Sequence, residues 1–181
     1  SLVGSEMCIR DSWLVVSDNH GDREILVSLR QALKPDAVFH CGDSEMEAAD
    51  PWFKGAYVVQ GNMDFDSELP LVETPTVDGC KVLLTHGHYD AVHWDLTKLK
   101  LHADEVQADL VFFGHTHELA AKVVGGHVFV NPGSISQPRG EYRQLGGTCA
   151  VVTVTADHWD VQYYTRDAQP VTDLDFSFKR P

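Results

Sequence analysis

Short apolar runs closed by Gly, Asp or His recur along this chain and set its expected organisation. Trp13-Leu14-Val15-Val16 opens the series, and residues 37–40, 56–60, 81–85 and 110–113 continue it. Apolar runs of this length read as strands buried on both faces, as in a parallel sheet covered by helices. Between the first two runs the period changes. Ile25, Leu26, Leu29 and Leu33 form one stripe at helical spacing, with Asp22 and Glu24 suiting the first turn and Lys34-Pro35-Asp36 the stop. Leu96, Leu99, Ala103 and Val106 space out a second amphipathic helix, and a short helix is expected over residues 45–53. After Phe113 the helical period disappears. Residues 122–124 and 127–130 flank Gly125-Gly126, and residues 148–155 and 160–165 flank a turn near Asp157, which are two hairpin signals. Strand–helix alternation followed by hairpins predicts a mixed α/β sandwich, parallel in its first half and antiparallel in its second.

The 181 residues suffice for one domain with a sizeable core, expected over residues 13–166. Residues 1–12, SLVGSEMCIRDS, lack periodicity and are expected to be a non-native or disordered leader; residues 167–181 read as a tail without assigned structure. Fourteen basic against 27 acidic side chains give a formal charge of −13, which disfavours a nucleic-acid or anionic-membrane surface. No apolar run approaches the roughly 18 residues that a membrane-crossing helix needs. The four cysteines, Cys8, Cys41, Cys80 and Cys149, form no CxxC, and the last three sit in or beside apolar runs. Reduced thiols in a cytoplasmic setting are expected. Oligomeric state is not readable, a homo-oligomer being one option.

The chemistry lies where the runs end. Asp18 and His20 follow the first, Asp43 the second, Asn62 and Asp64 the third, His86 and His88 the fourth, and His115 and His117 the fifth. In a parallel sheet those ends converge on one crevice, and extended backbone would turn His115 and His117 to one side. Taken singly, each has an ordinary explanation as a cap, a turn or a satisfied core imidazole. Five successive strand ends carrying such residues favour a shared site. Carboxylate, imidazole and amide oxygen together suit hard-to-borderline divalent ions, and seven ligands are too many for one ion with an open position. They suit two ions about 3.5–4 Å apart.

Asp18-x-His20, Gly42-Asp43, Gly61-Asn62, His86-Gly87-His88 and Gly114-His115-Thr116-His117 stand in the order and spacing of the calcineurin-like metallophosphoesterases, which residues 14–134 resemble. GNMD, THGH, GHTH and NPGS make the chain similar to the small bacterial branch acting mainly on phosphodiesters. The resemblance implies an αββα sandwich and two divalent ions, Mn2+ foremost, with Mg2+, Ni2+, Fe2+ or Zn2+ as alternatives. It assigns one ion to Asp18, His20 and His117, the other to Asn62, His86 and His115, and makes Asp43 the bridge. His88 would orient a ligand through a ring N–H. The implied activity is hydrolysis of a small-molecule phosphodiester by metal-activated hydroxide.

Arg139 follows Asn131-Pro132-Gly133-Ser134 and is either a phosphate fork or a surface Arg. Many relatives carry a His after Gly-Asn that is thought to protonate the leaving group; Met63 stands there instead and cannot. General-acid help is worth about 10²–10⁴-fold, so monoesters with basic leaving groups should turn over poorly. Asp64 is either a substitute for that acid, a turn residue or a support behind the ligands. The competing expectation is a non-catalytic protein-interaction scaffold of the same fold, a retromer subunit being the example. That scaffold departs from the first motif and the Gly-Asp motif, both intact here.

Overall fold

The computed structural model describes residues 10–66 and 68–181. The leader expectation over residues 1–9, Cys8 included, lies outside them. Asp11 and Ser12 do not behave as a leader: they belong to the first strand, β1 (Asp11–Val16), opposite Val154 and Thr153.

Two sheets pack face to face with a helix on each outer side, the expected αββα sandwich. The first sheet begins with β1, β2 (Ala37–His40) and β3 (Tyr57–Val58), paired parallel. On its other side β1 pairs antiparallel with β10 (Thr148–Val154), which continues into β11 (His158–Thr165) and β12 (Pro170–Lys179). The second sheet is built around β6 (Cys80–Thr85), β7 (Leu110–Phe112) and β9 (His127–Asn131), all parallel, with β8 (Ala120–Val124) on the outer edge. Two short strands, β4 (Val72–Glu73) and β5 (Thr76–Val77), cap β6.

Strand β1 explains why an unbroken apolar run is needed. Trp13 and Val15 point into the core between the sheets, beside Phe39, Phe112 and Val152. Leu14 and Val16 point outward onto Ile25, Leu26 and Leu29 of helix α1 (Arg23–Leu33). Asp22 caps α1 by accepting from the Ile25 N–H at 3.2 Å. On the second sheet, Leu83, Val111 and Phe129 likewise carry Leu99 and Ala103 of α2 (Thr97–Val106). Burying each such side chain is worth about 1.5–3 kcal/mol.

Four expectations need correction. The five ligand-bearing strands are split between two sheets, and the end of β9 runs parallel to β7 instead of closing an all-antiparallel half. Residues 45–53 hold only a 3-10 turn, Pro51–Phe53. Their N–H groups are drawn elsewhere: Glu45 donates to Asp64 and Ala48 to Asp66. Residues 72–77, whose pattern predicts no element, hold β4 and β5. The tail forms β12, whose Leu174, Phe176 and Phe178 alternate with Asp173, Asp175 and Ser177, a period of two that was present in the sequence. The described cysteines are free and buried, as expected.

Candidate metal centre

All seven expected ligands sit in the loops that follow β1, β2, β3, β6 and β7. The sheets lie so that these strand ends meet at one edge of the sandwich. Backbone bonds lace the loops together: Asp18 N–H donates to Gly42 O at 3.0 Å, His20 N–H to Asp43 O at 3.1 Å, and Gly114 N–H to His86 O at 3.1 Å. The contact is close enough that a Cβ at Gly61 would lie 2.1 Å from Asp43 Oδ1, and one at Gly114 2.7 Å from Asp18 Oδ2. Only glycine fits at either place.

Five of the seven ligands, Asp18, His20, Asp43, His115 and His117, have left-handed backbone, with φ between 45° and 71°. Side chains with a Cβ rarely adopt that conformation, and it concentrates at functional sites. His115 and His117 therefore do not project together from extended chain. They diverge: His117 joins Asp18 and His20, while the His115 ring lies 5.0 Å from His86 and 4.3 Å from His93.

Two ligand groups result, Asp18 with His20 and His117, and Asp18 with Asp43 and His86. Asp18 Oδ1 stands 3.2 Å from His117 Nε2, 3.8 Å from His20 Nε2 and 3.9 Å from His86 Nε2. Asp43 Oδ2 lies 3.3 Å from His86 Nε2, and Asn62 Oδ1 lies 3.1 Å from the same nitrogen. By distance the carboxylate common to both groups is Asp18, whereas the resemblance gave that role to Asp43.

Three imidazoles are held in one tautomeric sense by partners on the far ring nitrogen. His86 Nδ1 donates to the Cys41 carbonyl at 2.8 Å, His117 Nδ1 to the Gln137 carbonyl at 2.7 Å, and His20 Nδ1 to Glu45 Oε2 at 3.0 Å. Each Nε2 is thereby left as a lone pair turned to the centre. Nε2 of His20 and Nε2 of His117 face each other at 3.2 Å. Asp18 Oδ1, fully buried, has no hydrogen-bond partner, while Oδ2 takes the Ser17 hydroxyl and the His115 N–H. Lone pairs converging on a buried orphan carboxylate oxygen need cations among them, so the residues fit divalent metals.

Charge follows the same logic. Burial raises the Asp18 pKa, but the neighbouring His117 and His86 rings and the Ser17 hydroxyl outweigh it and hold it below the usual carboxylate value. Asp43 is also held low: burial opposes this, and His86 and the Met63 N–H overcome it. Burial lowers His86, but Asp43 and Asp18 more than compensate and raise it. Burial, with the His86 and His93 charges, pushes His115 down to about 4. A ring kept neutral offers its lone pair without first losing a proton.

The remaining expected residues divide. Arg139 is exposed on the wall of a cavity of about 430 Å³ that opens onto Asp43, Asn62 and His115. The His88 ring lies 4.3 Å from that of Tyr89, tilted by 40°, and 5.2 Å from His86, but its buried Nδ1 has no partner and it orients no described ligand by a hydrogen bond. That task falls to Cys41, Gln137 and Glu45. Asp64 accepts N–H bonds from Asp43, Glu45 and Gly61 at 2.7–2.8 Å, so its carboxylate is committed to tying two candidate ligand loops together. Sequence reasoning missed Glu45, Gln137 and His93. Glu45 was visible only as an acid two residues past Asp43. Gln137 acts through its carbonyl, which no residue type reveals. His93, on the cavity wall, stands in no motif.

Residues 12–157 match the calcineurin-like phosphoesterase superfamily domain. The chain is 34% identical to the probable metallophosphoesterase YsnB of Bacillus subtilis, over 89% of this chain and 95% of the relative. A crystal structure of a conserved protein from Streptococcus pneumoniae, a predicted phosphoesterase, superposes with a TM-score of 0.89 at 37% identity, covering 94% of this chain and 98% of the other. Vacuolar protein sorting 29 from Cryptosporidium parvum shares the fold at a TM-score of 0.74 and 20% identity, over 95% of this chain and 100% of its own.

Proposed function

Because this chain belongs to the calcineurin-like phosphoesterase superfamily, we propose that its centre binds two divalent ions, Mn2+ foremost, and hydrolyses small-molecule phosphodiesters. The observation that carries this reading is the set of three Nδ1-anchored imidazoles whose free nitrogens, with the orphan Asp18 Oδ1, face one buried point. When bound, such an ion pair neutralises phosphoryl charge and lowers the pKa of a coordinated water.

The chain's own residues do the rest. Asp18, His20 and His117 would hold one ion, and Asn62, His86 and His115 the other, with Asp43 or Asp18 shared. Arg139, exposed at the cavity wall and without an ion-pair partner among the described residues, can fork onto a phosphate oxygen. Met63 occupies the cavity wall with no proton to give. An alkoxide leaving group must therefore depart unaided, which favours diesters with acidic alcohols over alkyl monoesters.

Metal-stripped protein assayed on 4-nitrophenyl phosphate and bis(4-nitrophenyl) phosphate tests this. Activity should return with Mn2+, favour the diester and fall at least 10²-fold in Asp43→Asn. A folded protein that binds the ions yet hydrolyses neither ester would overturn the enzyme reading and favour a scaffold, the role compatible with the shared sorting-protein fold.

A further inference from the structure

Met63 forms part of the wall of two cavities. One is the cleft over the metal ligands; the other, of about 320 Å³, is completed by Met46, Phe65, Glu45, Glu47 and Asp66. Glu45 is also common to both, so the spaces adjoin across the Met63 and Glu45 side chains. A molecule whose phosphate sits in the first has its next few atoms at the mouth of the second. Phe65 is 88% exposed and Met63 40%, apolar surface that a ligand would remove from water. Methionine side chains re-pack around varied shapes, and an aromatic face offers a stacking partner.

We propose that the cavity beyond Met63 receives one alcohol limb of the phosphodiester, and that this limb is aromatic or apolar and carries no negative charge. The proposal rests on the phosphodiesterase reading above. Its apolar part follows from Met46, Met63 and Phe65, and its charge limit from the rim. Glu45, Glu47 and Asp66 line the space, and among the described residues no Lys or Arg does. The Ala48 and Glu68 N–H groups hold the Asp66 carboxyl below its usual range, so it stays charged. An anionic limb would meet three carboxylates; an uncharged ring would meet two thioethers and a phenyl face. Met63 thereby gains a positive role: the side chain that cannot donate a proton leaves its side of the passage between the cavities apolar.

Binding can be read without catalysis in the Zn2+-loaded full chain, with the methionine methyls carrying ¹³C. Diphenyl phosphate should shift the Met46 and Met63 methyls, whereas dimethyl phosphate should leave Met46 unmoved. Phe65→Ala should weaken diphenyl phosphate about tenfold and leave dimethyl phosphate unchanged. Bis(3-carboxyphenyl) phosphate should bind weakly and gain in Glu47→Gln. A Met46 methyl that diphenyl phosphate does not move, or equal weakening of both diesters by Phe65→Ala, would overturn the proposal. Hydrolysis is followed in parallel with bis(4-nitrophenyl) phosphate under Mn2+. Methyl shifts without hydrolysis would leave the limb site standing and sink the phosphodiesterase reading; hydrolysis without the Met46 shift would do the reverse.

Discussion

Two buried groups that ligate nothing decide how firmly the centre is held. Asp64 uses its carboxylate to fix the N–H groups of Asp43, Glu45 and Gly61, and so sets the distance between the loops that carry Asp43 and Asn62. Asp64→Asn replaces one acceptor oxygen by a donor facing those N–H groups. It should cost about 1–3 kcal/mol of stability and weaken metal binding about 10–100-fold, measured by thermal melting and calorimetric titration; unchanged affinity would show the loops are held otherwise. His40 is the second. Its Nε2–H donates to Asn19 Oδ1 at 2.8 Å and its Nδ1 accepts from the Gly42 N–H at 3.0 Å, so both nitrogens are committed to the neutral ring. Burial lowers its pKa from 6.5 to about 4. Between those values the unfolded chain binds a proton that the fold refuses, so stability rises with pH across the window. It is fully present above 6.5 and lost as pH falls toward 4. The loss amounts to about 3 kcal/mol. Denaturant unfolding of metal-free wild type and His40→Gln between pH 4 and 7 checks this: the variant's slope should be shallower by that amount.

The strands supply the platform and the loops the ligands. Three of the five loops, those after β1, β2 and β7, turn into left-handed backbone at Asp18, Asp43 and His115, which brings the side chain back over the sheet edge instead of out into solvent. Glycine is needed where two such loops touch. Gly61→Ala would drive a Cβ into Asp43 Oδ1, so the variant should keep its far-ultraviolet circular dichroism while losing metal affinity at least tenfold. Retained affinity would mean the loops can part without harm. The apolar runs of β1, β2, β6 and β7 made the strands legible, because burial on both faces demands them. β12 is just as legible in the alternation of Leu174, Phe176 and Phe178 with Asp173, Asp175 and Ser177. The 3-10 turn at Pro51–Phe53 was not legible: Glu45 and Ala48 give their N–H groups to Asp64 and Asp66, partners 19 and 18 residues distant.

Two sheets, not one, converge on the candidate ligands, and the left-handed backbone at His115 and His117 is what turns the two rings apart. That the candidate residues cluster was legible because five strand ends carried them. Which ligand meets which was not, since that depends on how the sheets register across the core and on the turn each loop takes. The net charge of −13 coexists with a cavity whose wall offers Arg139 and four histidines, so the local field at the centre is not that of the surface as a whole. The account stands on two ions acting together. Stripped protein titrated with Mn2+, with bound metal and bis(4-nitrophenyl) phosphate hydrolysis read on the same samples, tests it most directly. Two equivalents per chain, with hydrolysis growing in only as the second binds, is the predicted result. Saturation at one equivalent with full activity would contradict it.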